Sequence, residues 1–218
     1  MKQVCAIVGF GPGNGLALAR AFGGDGHSLA LIARSEGKHA SSVEALRKEG
    51  VAAHFFAGDA ADNDSLGTAF SRVRETLGDP TVLIYNAFAK RMAVPSKTKS
   101  DDLIADLRTN VGGALAAVHE VLPAMRAAKV GTILFTGGGL AVDPVPQFAS
   151  VAVGKAALRN LTFSLAKELA PEGVHVATVT ICGMVKPGTS LDPEIIAAAF
   201  LRLHGQTPAA FQTEIELR

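Results

Sequence analysis

Between Val8 and Leu16 the chain reads Gly-Phe-Gly-Pro-Gly-Asn-Gly, and no other stretch restricts the fold so strongly. An apolar run, Val4 to Val8, precedes it, and a helical pattern carrying Leu16, Leu18 and Ala19 follows. The segment therefore reads as buried strand, tight turn, helix. Glycines let a backbone turn sharply and approach a ligand that any Cβ would hold away. A helix starting beside Gly15 aims free N–H groups and the positive end of its dipole at that ligand, an arrangement suited to a pyrophosphate. Standing after the first strand of an α/β pattern, the loop points to a dinucleotide.

The rest of the chain repeats the alternation. Strands are expected at His27–Ala33, Val51–Ala57, Thr81–Tyr85, Gly131–Thr136, Val174–Thr180 and Phe211–Leu217. Helices are expected at Ser35–Glu49, Asp62–Leu77, Asp101–Ala128, Ala149–Ala170 and Pro193–His204, with Leu158, Leu161, Leu165 and Leu169 on one stripe. Solidly apolar strands alternating with helices argue a parallel sheet covered on both faces. The fold class is α/β: a single, doubly wound, mostly parallel, Rossmann-type domain over residues 1–218. Its ligands are expected beyond the carboxyl ends of the strands.

A chain of 218 residues, 48% of them hydrophobic, buries a full core as one domain. Net charge +1 gives no electrostatic case for nucleic acid or an anionic membrane as a partner. Cys5 and Cys182, far apart, suggest no disulfide framework and fit a reducing compartment. The first apolar run is too short for a membrane span and makes an unconvincing signal peptide, so a cytoplasmic location is expected. His27, His39, His54, His119, His175 and His204 show no metal-ligand spacing, and no metal is expected.

Gly9, Gly13 and Gly15 fit G-x-x-x-G-x-G, and with this spacing the chain resembles the short-chain dehydrogenase/reductase family of NAD(P)-dependent enzymes. Val8 and Asn14 depart from the family's usual Thr and aliphatic residue but leave the backbone donors in place. Further matches, in order, are Asp59, Asn86-Ala87, Asn110 and Lys155. The resemblance implies cofactor contacts at Gly9, Gly13, Asn14, Gly15, Arg34, Ser35, Asp59, Ala60, Asn86, Ala87, Lys155, Gly183 and Val185. It places Asp59 at the adenine amino group and the backbone near Val185 at the nicotinamide carboxamide. Read alone, an Asp at a strand end is more often a helix cap or turn residue. Ala33 stands where NAD-preferring members carry Asp, and Arg34 follows with a guanidinium shaped for a phosphate, so NADP is expected over NAD. Phe88, where the family has Gly, is expected to narrow the space beside the cofactor ribose. A small-molecule substrate and a homodimer or homotetramer, paired through Asp101–Ala128 and Ala149–Ala170, are also implied.

The resemblance breaks at the family's chemistry. Members carry a Tyr four residues before the Lys, which puts both on one helical face, and a Ser after strand five. The Tyr exchanges the substrate's proton, the Lys lowers its pKa and holds the nicotinamide ribose, and the Ser orients the carbonyl. Here Lys155 is present, but Val151 stands at the Tyr position and Gly138 at the Ser position. The resemblance implies catalytic roles for Lys155 and for Asn110, which supports a relay water in the family. Tyr85, the chain's only tyrosine, is the first candidate for a hidden acid. The first reading is an NADP(H)-dependent oxidoreductase of atypical mechanism; the alternative is a catalytically silent NADP(H)-binding sensor or partner. Cys182 reads more simply as a space-filling residue than as a nucleophile. Lys90-Arg91 is a candidate anion-attracting pair at the mouth, and Ser164-Leu-Ala-Lys167 reads as an outer helix face.

Overall fold

The computed structural model describes residues 3–218. Seven strands form one sheet: β1 (Val4–Val8), β2 (Ser28–Ala33), β3 (Ala53–Ala57), β4 (Val82–Tyr85), β5 (Gly131–Thr136), β6 (Val174–Ile181) and β7 (Glu214–Leu217). All neighbours are parallel, in the order β3-β2-β1-β4-β5-β6-β7. The order reverses between β1 and β4, so the loops leaving their carboxyl ends flank the crevice where such sheets take ligands.

Both faces are buried, which is why the strands read as continuous apolar runs. Val4, Ala6 and Val8 of β1 face one core with α3 (Asn63–Leu77), α5 (Gly113–Ala128) and α6 (Ala149–Leu169). Cys5 and Ile7 face the other, under α1 (Asn14–Gly24), α2 (Ala40–Lys48) and α7 (Pro193–His204). The alternation of period two is thus present, but hidden because both sides are apolar.

Two helix expectations are corrected. The second helix starts at Ala40 rather than Ser35; the N–H of His39 donates to the carbonyl of Glu36, closing a turn around Gly37 instead. The long helix over Asp101–Ala128 is in fact α4 (Ser100–Leu107), a π-helical turn at Arg108–Gly112, and α5. Within the turn the N–H of Gly113 reaches five residues back, to Arg108. The carbonyl of Thr109, which a regular helix would engage with that N–H, instead accepts the Tyr85 hydroxyl. Gly113 sits so close to its neighbours that an added Cβ would lie 2.0 Å from the Ala60 carbonyl oxygen and 2.6 Å from the Tyr85 hydroxyl. Strands β2, β3, β4 and β7 start later than expected, most in β7, which begins at Glu214 rather than Phe211, while β6 runs one residue further, to Ile181.

Candidate active site

The glycine-rich loop leaves β1 and closes against the loop leaving β4. Gly9 has φ +84, and a Cβ there would lie 2.4 Å from the backbone nitrogen of Ala87, so only glycine fits. Gly13 (φ +76) precedes α1, whose start has no side-chain cap, whereas Asp62 and Asp192 cap α3 and α7. The Oδ1 of Asn14, at the first position of α1, is buried without a hydrogen-bond partner among the described residues. An uncapped helix start, an open approach over Gly13 and an orphaned polar atom fit a phosphate-bearing ligand.

From this loop a hydrogen-bonded chain of side chains crosses the strand ends. Asn86 Nδ2 donates to the carbonyl of Gly9 (2.9 Å), and Thr136 Oγ1 donates to Asn86 Oδ1 (2.9 Å). Lys155 Nζ then donates to the carbonyl of Thr136. Lys155 is nine-tenths buried, its ammonium lies 5.5 Å from the Phe88 ring centre, and desolvation pulls its pKa down to about 8. Gly138 lies beside its stem: a Cβ there would be 3.5 Å from Lys155 Cγ, an ordinary contact. Val151, one turn before Lys155 on α6, is buried.

Asn110 occupies the π-helical turn and is buried. Its Oδ1 accepts from the N–H of Ala89 (2.7 Å), while Nδ2 is buried without a partner. Gly154 admits this amide against α6, since a Cβ there would lie 2.8 Å from it. Thus Gly9, Asn86, Ala87, Gly138, Val151, Lys155 and Asn110 gather around the carboxyl ends of β1, β4 and β5.

The other expected residues lie around this centre. Arg34 and Ser35 follow β2; Arg34 is exposed, and no hydrogen bond or ion pair engages it among the described residues. Asp59 accepts from the N–H of Ala61 (2.9 Å), the geometry of a turn residue, with Ala60 buried beside it. Gly183 is exposed after β6, and half-buried Val185 packs on the second core.

Two candidates are removed, and the reading of Cys182 as no nucleophile is kept. Tyr85 is wholly buried, donates its proton to Thr109, and burial with the nearby Asp59 charge raises its pKa, so it is removed as a hidden acid. Arg91 is engaged by Asp106 (Nε to Oδ2, 2.9 Å) and Asp102 (3.3 Å), anchoring the loop after β4 to α4 rather than presenting a free cation. The Cys182 thiol lies 3.3 Å from Glu216 Oε1, and burial and that carboxylate raise its pKa, against the thiolate a nucleophile needs. Ser164 and Lys167 are exposed on α6, as an outer helix face requires. A residue the sequence reading passed over is His39, whose ring meets Phe10 of the glycine loop edge-on at 5.4 Å. Its place in the second predicted helix gave no sign of that contact.

Residues 3–197 match the family model described as short chain dehydrogenase. The 2-(S)-hydroxypropyl-CoM dehydrogenase 3 of Xanthobacter autotrophicus is 29% identical over 203 residues, spanning 90% of this chain and 80% of that one. A metagenomic short-chain oxidoreductase solved in complex with NADP superposes with TM-score 0.91 at 27% identity, over 99% of this chain and 96% of that one. An NADPH-bound short-chain oxidoreductase from Pseudomonas aeruginosa PAO1, described as containing an atypical catalytic center, shares the fold at TM-score 0.89 and 22% identity, over 98% and 94% of the two chains. The strand order, the glycine loop at its switch point and the match over most of the sequence agree: the chain belongs to the short-chain dehydrogenase family.

Proposed function

We propose that the protein is an NADP(H)-dependent oxidoreductase for a small-molecule substrate, working without the tyrosine and serine of its relatives. The observation that carries this reading is the chain from Gly9 through Asn86 and Thr136 to Lys155. It fixes the spacing between a loop built for phosphates and a buried ammonium, which would meet the two ends of a dinucleotide. Gly9, Gly13, Asn14 and Gly15 would hold the pyrophosphate, Asp59 and Ala60 would border the adenine, and Arg34 with Ser35 would receive a 2′-phosphate. Asn86, Ala87, Lys155, Gly183 and Val185 would border the nicotinamide riboside. The NADP complex of the 27% identical structure supports the same cofactor here. When bound, that cofactor supplies a hydride.

The residues of this chain must then manage the proton. Neither Gly138 nor Val151 can deliver one to a nascent alkoxide. Lys155, with its proton held at about 8, is the titratable side chain in this centre suited to do so near neutral pH. Asn110, whose Nδ2 is unpartnered, would hold a water beside it. Substrates that need little oxygen protonation, such as imines and activated alkenes, suit this centre better than ordinary ketones.

The test is a titration with NADPH and NADH followed by turnover assays on carbonyls, imines and enones. Tighter NADPH binding with slow ketone reduction is expected. Gly138→Ser with Val151→Tyr should raise carbonyl reduction by about 10²- to 10⁴-fold, the usual return of a general acid. The serine fits beside Lys155, whereas the tyrosine adds volume at a buried site, so folding and NADPH affinity are checked in the same variant. Brisk ketone reduction by the parent would refute this mechanism. Absence of turnover in both proteins, with NADPH binding intact, would identify a silent binder.

A further inference from the structure

At the opposite end of the sheet from the glycine loop, two potential ligands close together in sequence meet a third that is far from them. Asp25 caps the end of α1, His27 immediately precedes β2, and His204 is the last residue of α7. One ligand atom from each lies within 4.8 Å of the others. We propose that Asp25, His27 and His204 form a binding site for a divalent transition-metal ion of the zinc class, joining the end of α1 to the end of α7.

The geometry is most specific at His27. The residue is 2% exposed, yet among the described residues neither ring nitrogen has a hydrogen-bond partner of good geometry, the Phe22 carbonyl standing near the ring. A buried imidazole in that condition is costly, and native structures rarely leave one so. Its Nδ1 lies 3.4 Å from Asp25 Oδ2. Zinc holds nitrogen and oxygen ligands at about 2.0–2.2 Å, which puts tetrahedral ligand atoms about 3.3 Å apart, so this pair is already spaced as two ligands of one ion. The His204 ring stands edge-on to His27 with centres 5.1 Å apart, and one of its ligand atoms lies within 4.8 Å of those of Asp25 and His27. Its Nδ1 lies 3.0 Å from the Thr132 hydroxyl, the kind of outer contact that orients a metal-binding imidazole through its other nitrogen.

The chemistry selects the ion. Two imidazoles and one carboxylate favour zinc, cobalt(II), nickel or copper over magnesium or calcium, which prefer all-oxygen sites. The half-exposed Asp25 carboxylate supplies an entry path, and water would complete the coordination. The site is independent of the cofactor reading: α1, with Gly13 at its start and Asp25 at its end, separates the two by about 18 Å at 1.5 Å per residue.

The experiment uses the full chain, freed of any affinity tag and stripped with chelator, then dialysed against zinc chloride with metal analysis. Cobalt(II) serves as a second probe, its visible absorption reporting a nitrogen- and oxygen-bound site. One equivalent of zinc per chain is expected, with a higher Tm and no competition from magnesium. Asp25→Asn and His204→Gln should each weaken zinc binding by at least about tenfold and abolish the cobalt spectrum, leaving NADPH affinity unchanged. Asp25 is exposed enough that its variant should fold even if a histidine variant does not. Failure to bind an equivalent of zinc, or binding that survives Asp25→Asn in a folded protein, would overturn the proposal.

Discussion

Lys155 is held by a carbonyl, not a carboxylate, and that choice has a thermodynamic signature. Burial lowers its pKa from 10.5 to about 8, so between those values the unfolded chain holds a proton that the native protein has released. Native stability therefore rises with pH across that window, and below about 8 the protein carries the full cost of the buried charge. The stability of Lys155→Met relative to the parent should be greatest at pH 7 and fall by roughly 3 kcal/mol by pH 10.5, read from urea unfolding at both values. A pH-independent difference would mean that the ammonium reaches solvent. The same substitution should weaken NADPH binding, since a charged hydrogen-bond donor is lost, by about 1.5–3 kcal/mol. Arg34 makes the opposite case, being exposed and without a hydrogen bond or ion pair among the described residues. Arg34→Ala should erase most of the preference for NADPH over NADH in a fluorescence titration, and equal affinities in the parent would remove the idea. The positions of both residues were legible in the sequence because each follows from a local pattern, a strand end or a helical spacing. Arg91 was not: its partners Asp102 and Asp106 lie across a loop, and nothing in the pair Lys90-Arg91 announces which cation is taken.

Among the elements, the π-helical turn was invisible in the sequence for a related reason. Asp101–Ala128 has the apolar period of one helix, and in the widened turn the carbonyl of Thr109 is engaged by Tyr85, which comes from another element. That turn also brings Asn110 to Ala89 and Gly113 to Ala60. Tyr85→Phe should cost about 1–3 kcal/mol, the price of an unpartnered buried carbonyl, while leaving turnover per folded molecule unchanged, since the phenol takes no part in proton transfer. Gly113→Ala should cost more, because the methyl group meets backbone rather than a movable side chain. Chemical denaturation of both variants, with NADPH affinity measured in each, tests the ranking. If Tyr85→Phe instead lowers the rate with stability intact, the phenol belongs to the reaction after all.

For the molecule as a whole, the alternation of strands and helices was sufficient to identify the layers, and the parallel sheet is more regular than expected, with no antiparallel pair among its described strands. What the pattern could not supply were contacts between distant segments, such as His39 against Phe10, or Asn86 between Gly9 and Thr136. This last arrangement has a kinetic consequence. Every link between the glycine loop and Lys155 is protein, so the distance between the two contact points acts as a gauge set by β1, β4 and β5 rather than by the incoming molecule. Association with NADPH should then follow one exponential whose rate climbs linearly with cofactor concentration, without the plateau that a slow rearrangement imposes. Thr136→Val, which cuts the gauge while keeping the side-chain shape, should accelerate dissociation and make the approach to equilibrium biphasic in stopped-flow fluorescence.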